Sequence, residues 1–192
     1  MLTALVLGGV AALVLAGLAG YNALVRSRNQ VTEAWSTVDV QLRRRASLLP
    51  NLADAVGAYA QHERESLLEV TRARGLAEPG AGVAASARAG DEVSRALGRL
   101  LAVSERYPQL RAAENFRALQ DQLADVEDKV AFARQFYNRT VLAYNNRLGV
   151  FPTAVIARAF AFERAEFYEA DAAALEEVRL HMQRAPAARP PT

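Results

Sequence analysis

Metal chemistry in this chain would have to be built from carboxylates and two imidazoles, because its 192 residues include His62, His181 and no cysteine. A di-iron site in a helical bundle needs Glu-x-x-His pairs on two helices plus two further carboxylates. The residues three before the histidines are Tyr59 and Val178, so neither pair exists. His62-Glu63-Arg64-Glu65 begins like a zinc-protease motif, but Ser66 stands where the second histidine belongs. Gly80, Gly82 and Gly90 lie in a run without the Lys-Ser/Thr ending of a phosphate loop and without a strand before it. No serine sits in a nucleophile elbow, and no Ser/His/Asp set stands out. The lack of cysteine removes disulfides, thiolate metal sites, a cysteine nucleophile and a lipidated N-terminal cysteine. The sequence thus offers no catalytic residue, no cofactor-binding residue and no metal ligand, and predicts a protein that is not an enzyme.

The 23 basic and 21 acidic side chains nearly balance, for a formal net charge of +2. Arginines are interleaved with carboxylates along most of the chain, so nucleic acid is not an expected partner. Polar chemistry of another kind remains. Tyr21-Asn22, Tyr137-Asn138 and Tyr144-Asn145 repeat one dipeptide, and the last two stand one heptad apart, so their tyrosines share a helical face. Glu33 beside Trp35, and Glu127 seven residues before Arg134, fit the same set. Two readings are open: satisfied polar groups that fix register in a long bundle, or a pocket for a ligand or partner.

Helices must position these residues, and the first is apolar. Residues 1–25 carry no charged side chain, and Thr3 is the only polar one ahead of Tyr21. About 20 such residues at ~1.5 Å each cross the ~30 Å hydrocarbon core of a bilayer. A cleaved signal peptide is the rival, with Ala16–Ala19 offering small residues to a peptidase. The absence of a basic residue ahead of the run and the unbroken helical pattern into Asn22–Arg26 favour a retained anchor. Arg26 and Arg28, just past the span, place the N-terminus outside and residues 22–192 in the cytoplasm, as a single-pass protein of the cell (inner) membrane. Gly8, Ala12, Ala16 and Gly20 form a small-residue stripe through which two copies could associate.

No stretch alternates apolar and polar residues with a strand-like composition. Phe116, Leu119, Leu123, Val126, Val130, Ala133, Tyr137, Val141, Tyr144 and Leu148 recur at spacings of three and four, a heptad seam with one slip that must pack on other helices. Arg147, Gly149 and Pro152 mark its end. The first soluble helix carries Leu24, Val31, Trp35, Val38, Leu42 and Leu49 on one side, with Arg43, Arg44 and Arg45 near its end, where cations suit the dipole. Pro50 marks either a kink or a turn opening a second helix; the turn is the favoured reading, with a second helix over about Asn51–Arg74 holding Leu52, Val56, Tyr59, Leu67 and Val70 inward. Gly75–Gly90 reads as one long loop, and Asp91 as the cap of a third helix holding Val93, Leu97, Leu100, Leu101 and Val103, ended by Tyr107-Pro108. The long fourth helix starts near Ala112. A short helix near Thr153–Leu180 and a disordered tail from Met182 follow. With Leu148 returned towards the bilayer, Phe151, Phe160, Phe162, Phe167 and Tyr168 either cap the bundle core or touch the membrane interface, the latter through Val155, Ile156, Phe160 and Phe162.

Taken together, Tyr21–Asn29, Glu33–Ser36, Asp39–Arg45, Leu49–Leu52, His62-Glu63, Glu105–Pro108, Glu114–Phe116, Tyr137-Asn138, Tyr144-Asn145 and Phe151-Pro152 resemble the LemA family, in the same order and over about residues 21–180. The resemblance implies one N-terminal membrane helix and a cytoplasmic antiparallel helical bundle. It implies no activity, because the family has no established catalytic site. One relative, in magnetotactic bacteria, is linked to magnetosome membranes, which favours a role in membrane organisation. The expected chain is therefore an anchor over 1–21, an all-α, up-and-down four-helix bundle over 22–180 with a short C-terminal helix, and a tail over 181–192. Its expected partners are the lipid bilayer, through residues 2–21, and an unidentified protein for which the bundle is a scaffold or adaptor. The alternative is a self-assembling protein that organises or shapes the membrane as a homo-oligomer.

Overall fold

The computed structural model describes residues 1–59, 73 and 82–169. Among them every regular element is an α-helix: α1 (Leu2–Gly57), α2 (Val83–Glu105), α3 (Pro108–Ala112), α4 (Glu114–Gly149) and α5 (Thr153–Ala159). The chain is all-α, as its periodicity predicts, with long helices packed through heptad seams. His62, Leu67 and Val70 of the expected second helix, residues 75–81 of the expected loop, His181 and the tail from Met182 lie outside the described residues.

Three expectations are corrected. Pro50 opens no second helix; it lies inside α1, which runs on to Gly57. Proline costs an interior helix about 3 kcal/mol by removing one hydrogen bond and crowding the carbonyl four residues back. Leu48, Leu49, Leu52 and Val56, buried on both sides of it, offset that cost. Arg43–Arg45 consequently sit well before the helix end, not at its negative pole. Asp91 is no cap, because α2 begins at Val83, after Gly82 in the left-handed region at φ 81°. The residues after Gly82 are rich in alanine, the best helix former, and their propensity outweighs the cost of Gly90. Finally, the helix expected over Thr153–Leu180 stops at Ala159, and residues 162–169 have no helical structure.

The helices form two compact units, to each of which α1 and α4 lend a segment. In the unit of residues 38–133 and 168 onward, Val38, Leu42, Leu49 and Leu52 of α1 are buried, as are Val93, Leu97 and Leu100 of α2. Leu110 of α3 and Phe116, Leu123, Val126 and Val130 of α4 complete that core. α2 ends at Glu105, where the N–H of Arg106 bonds the Val103 carbonyl and that of Tyr107 the Ser104 carbonyl, and Pro108 restarts the chain as the first residue of α3.

The unit of residues 1–37 and 134–167 joins the start of α1, the end of α4, α5 and an irregular strap over 162–167. Leu24, Val31, Ala34, Tyr137, Val141, Tyr144 and Ala157 are buried there. Trp35 meets Tyr137 edge-on with ring centroids 5.4 Å apart, which sets the antiparallel register of α1 and α4 in this unit. The first 18 or so residues of α1 are long and apolar enough to cross a membrane, and that stretch is not buried against the protein.

Candidate functional site

The paired Tyr-Asn residues serve a purpose that their spacing did not reveal. Tyr137 and Tyr144 are one heptad apart on α4, and each donates its hydroxyl to a backbone carbonyl of the strap: Tyr137 to Glu166 at 2.8 Å, Tyr144 to Glu163 at 2.9 Å. Between them Asn145 clamps Ala165 at both ends, donating Nδ2 to its carbonyl and accepting its N–H on Oδ1, each at 2.9 Å. An asparagine side chain is itself an amide, so this pairing imitates one rung of a sheet ladder. The strap has no helix or strand of its own to satisfy its backbone, and these side chains satisfy it instead. Burial pushes both tyrosine hydroxyls above their ordinary range. The Glu166 carboxylate adds to this at Tyr137, while at Tyr144 the Arg28 cation opposes it and Glu163 reinforces it.

The strap is reached through a tight turn. α5 ends with the N–H of Ala161 on the carbonyl of Arg158 and that of Phe162 on Ala157, with Ala161 left-handed at φ 51°. This is the Schellman arrangement, with alanine at the position where glycine is usual. The reversal turns Phe160 and Phe162 towards one residue, Tyr21, at centroid distances of 4.8 and 5.8 Å. The Arg28 guanidinium lies 5.5 Å from the Phe162 ring centre. A Cβ on Gly20 would overlap Ile156 Cδ1, so the last small residue of the apolar stripe receives a side chain of its own chain.

Beside this latch α1 and α4 leave an open groove of about 540 Å³. Glu33 and Thr37 of α1 face Phe136, Arg139, Thr140 and Arg147 of α4 across it. Thr37 and Thr140 donate their hydroxyls to the carbonyls of Glu33 and Phe136. Phe136 is half exposed. The groove thus offers an apolar ring, one carboxylate and two guanidinium groups. Glu33, grouped with Tyr137 in the sequence, lines this groove. Among the described residues no three histidine, aspartate or glutamate side chains converge as a metal site would require.

In the other unit the sequence missed Arg45, a side chain 2% exposed and ion-paired to Glu127. Its Nη1 donates to Ser94 Oγ at 2.8 Å and to the Gly90 carbonyl at 3.2 Å, and Ser94 donates to that carbonyl at 3.0 Å. A Cβ at Gly90 would stand 3.0 Å from the Tyr168 hydroxyl, a tight approach for which the tyrosine would have to give by a few tenths of an ångström. The signal was present: Val38, Leu42, Arg45, Leu49 and Leu52 are spaced by four and three, and Arg45 occupies a seam position.

These features lie on a chain whose residues 34–181 match the LemA family profile. The chain belongs to the LemA family. It is similar to the magnetosome protein MamQ of Magnetospirillum gryphiswaldense, 26% identical over 175 residues that cover 77% of this chain and 64% of that protein. Magnetosome protein MamQ 2 of Paramagnetospirillum magneticum is 34% identical over 74 residues, 38% of this chain and 27% of the relative. The protein LemA of Metamycoplasma hominis is 23% identical over 138 residues, covering 71% and 63%. The chain thus spans less than two thirds of the length of each. Neither the LemA nor the MamQ name is that of an enzyme. The family's match begins at Ala34, so it includes Arg45, Glu127, Tyr137, Tyr144 and Asn145 and leaves the apolar start of α1 outside.

Proposed function

We propose that this LemA-family protein is a single-pass membrane protein with its N-terminus outside and residues 22–192 in the cytoplasm, whose helical platform is a non-enzymatic scaffold or adaptor for another protein. The observation that carries this reading is α1. One helix holds an unburied apolar stretch and then, without interruption, the seam on which the bundle is built. A partner docked on such a platform is held at a set distance from the bilayer, because helix rise and not a flexible linker separates them. The groove lined by Glu33, Phe136, Arg139 and Arg147 is the docking surface of this proposal.

A photo-crosslinking residue at Thr37 or Thr140 of the full-length protein tests it. Both sites should capture one and the same polypeptide, while the same probe at exposed Val40 should not. Capture equal at all three sites, or none at the groove, would sink the adaptor reading. Orientation is tested in the cysteine-free chain with Thr3→Cys and Val40→Cys: an impermeant thiol reagent should label only the first in intact cells.

A second reading rests on the magnetosome name of two relatives: a membrane-organising protein that works by self-association. Concentration-dependent oligomers of the full-length protein in vesicles, with no other polypeptide crosslinked at the groove, would favour it.

A further inference from the structure

The turn between α4 and α5 leaves an apolar end uncovered. Phe151 is 81% exposed, Phe160 63%, and Val150 and Val155 61% each. Sequence periodicity left open whether the aromatics from Phe151 to Tyr168 cap the bundle core; in the structure Tyr168 is buried, whereas Phe151 and Phe160 are exposed. Their height along α1 follows from the packing. Trp35 lies beside Tyr137 and the helices are antiparallel, so Gly149, twelve residues on, stands near the level of Ala23. Ile156 then rests on Gly20 and Phe160 on Tyr21, the last turn of the apolar stretch. The exposed set is therefore continuous with the exposed apolar side of α1, at the end of the span.

A patch of this kind in water is an unusual feature of a soluble surface. At the end of a membrane span it has a ready occupant. Aromatic and aliphatic side chains at the level of the headgroups, bordered by cations, are the composition of an interfacial element. The border is supplied by Arg26 and Arg28 on α1, Arg147 in the last turn of α4 and Arg158 in the last turn of α5, all exposed. Their long stems can lie along apolar surface while the guanidinium groups reach phosphates. Glu163 and Glu166 lie beyond Ala161, on the strap held against α4.

We propose that Val150–Phe160 is a second membrane contact, seated in the headgroup and upper acyl region of the leaflet in which the span of α1 ends. It rests on the reading of residues 2–21 as a membrane span. With two attachments the bundle has a fixed tilt and rotation at the bilayer surface, which one helix alone would leave free. Gly20 and Ala161 have a common purpose in this arrangement: the first lets α5 approach the span, and the second turns the chain back so that Phe162 joins Phe160 on Tyr21.

The test uses the full-length protein in vesicles of phosphatidylcholine and phosphatidylglycerol. In a Trp35→Phe background, single tryptophans are placed by Leu13→Trp in the span, Phe151→Trp and Val155→Trp in the foot, and Phe132→Trp, exposed on α4 seventeen residues before its end at Gly149. Lipids brominated high or low on the acyl chain report depth, and aqueous iodide reports water. Leu13→Trp should be quenched best by the deep bromine. Phe151→Trp and Val155→Trp should be quenched best by the shallow bromine, at least about two-fold more than Phe132→Trp. Quenching at Leu13 without quenching at Phe151 and Val155 would overturn the foot and leave the span intact. Protection of the two foot sites from both bromine and iodide would assign the patch to a protein, a second copy included, and would also overturn it. No quenching at Leu13 would remove the span and the foot together. Because both foot sites are exposed, the variants should keep the helical circular dichroism of the parent.

Discussion

The two units both bury polar groups, by opposite means. The unit built on residues 38–133 buries a charge, Arg45, and matches it with Glu127, Ser94 and the Gly90 carbonyl. The unit holding the strap buries neutral groups only at its latch, two tyrosine hydroxyls and one asparagine amide, each on a backbone partner. A buried ion pair gains little net stability over apolar packing, yet it is costly to break, because the survivor is left charged and unsolvated. Neutral hydrogen bonds contribute about 1 kcal/mol each and fail gradually. The first device suits a register that must not slip; the second suits a segment laid on last.

Breaking the ion pair from one side should have the largest effect. Glu127→Ala leaves Arg45 without its carboxylate and should cost about 3–5 kcal/mol in chemical denaturation of the full-length protein in detergent. The double variant Arg45→Met, Glu127→Leu should recover most of that loss. If the single and double variants are equally destabilised, the pair is not the reason for the burial of Arg45.

The latch should yield less. Asn145→Ala orphans the N–H and carbonyl of Ala165 and should cost about 1–3 kcal/mol, whereas Tyr144→Phe should cost about 1. Hydrogen exchange at Ala165 read by mass spectrometry should accelerate in Asn145→Ala while α2 peptides stay protected. Equal acceleration in both would mean that the two units do not open separately.

Ala161 sharpens the comparison in the stabilising direction. A left-handed alanine costs about 1–2 kcal/mol, and Ala161→Gly should return about 1 kcal/mol after its own chain entropy is paid. Loss of stability in that variant would contradict the turn described for α5.

The smallest effects separate the units by pH. Tyr137 and Tyr144 have raised pKa values in the fold, so the latch keeps its full contribution below the unfolded value near ~10 and loses it as pH rises through the folded values. Asp125, held below its ordinary value first by the hydrogen bond from Lys129, behaves oppositely: its contribution is present above 3.8 and falls away as pH drops through the folded value. A melting-temperature profile should decline on the alkaline side with the latch tyrosines, a decline that Tyr137→Phe with Tyr144→Phe reduces. Asp125 is exposed, and Asp125→Asn should leave the profile nearly unchanged.

Much of the fold was legible in the spacing of apolar residues. The seam from Phe116 to Tyr144 is buried at nearly every position named, and so is the face from Leu24 to Leu49. Local punctuation misled at Pro50 and Asp91, because burial on both sides of a proline and a run of alanines outweighed the signals of single residues. The site was less legible. Tyr137, Tyr144 and Asn145 were noticed for their repetition, but their partners are backbone groups nineteen to twenty-nine residues away, for which no side-chain pattern exists.

Periodicity states which face of a helix is turned inward, and it states this from one helix alone. That was enough to determine the all-α class, the apolar start of α1 and the buried face of α4. What meets that face is a matter of two segments at once. The union of Arg45 with Glu127, the strap under Tyr144 and the seat of Ile156 on Gly20 were therefore decided only by the tertiary structure.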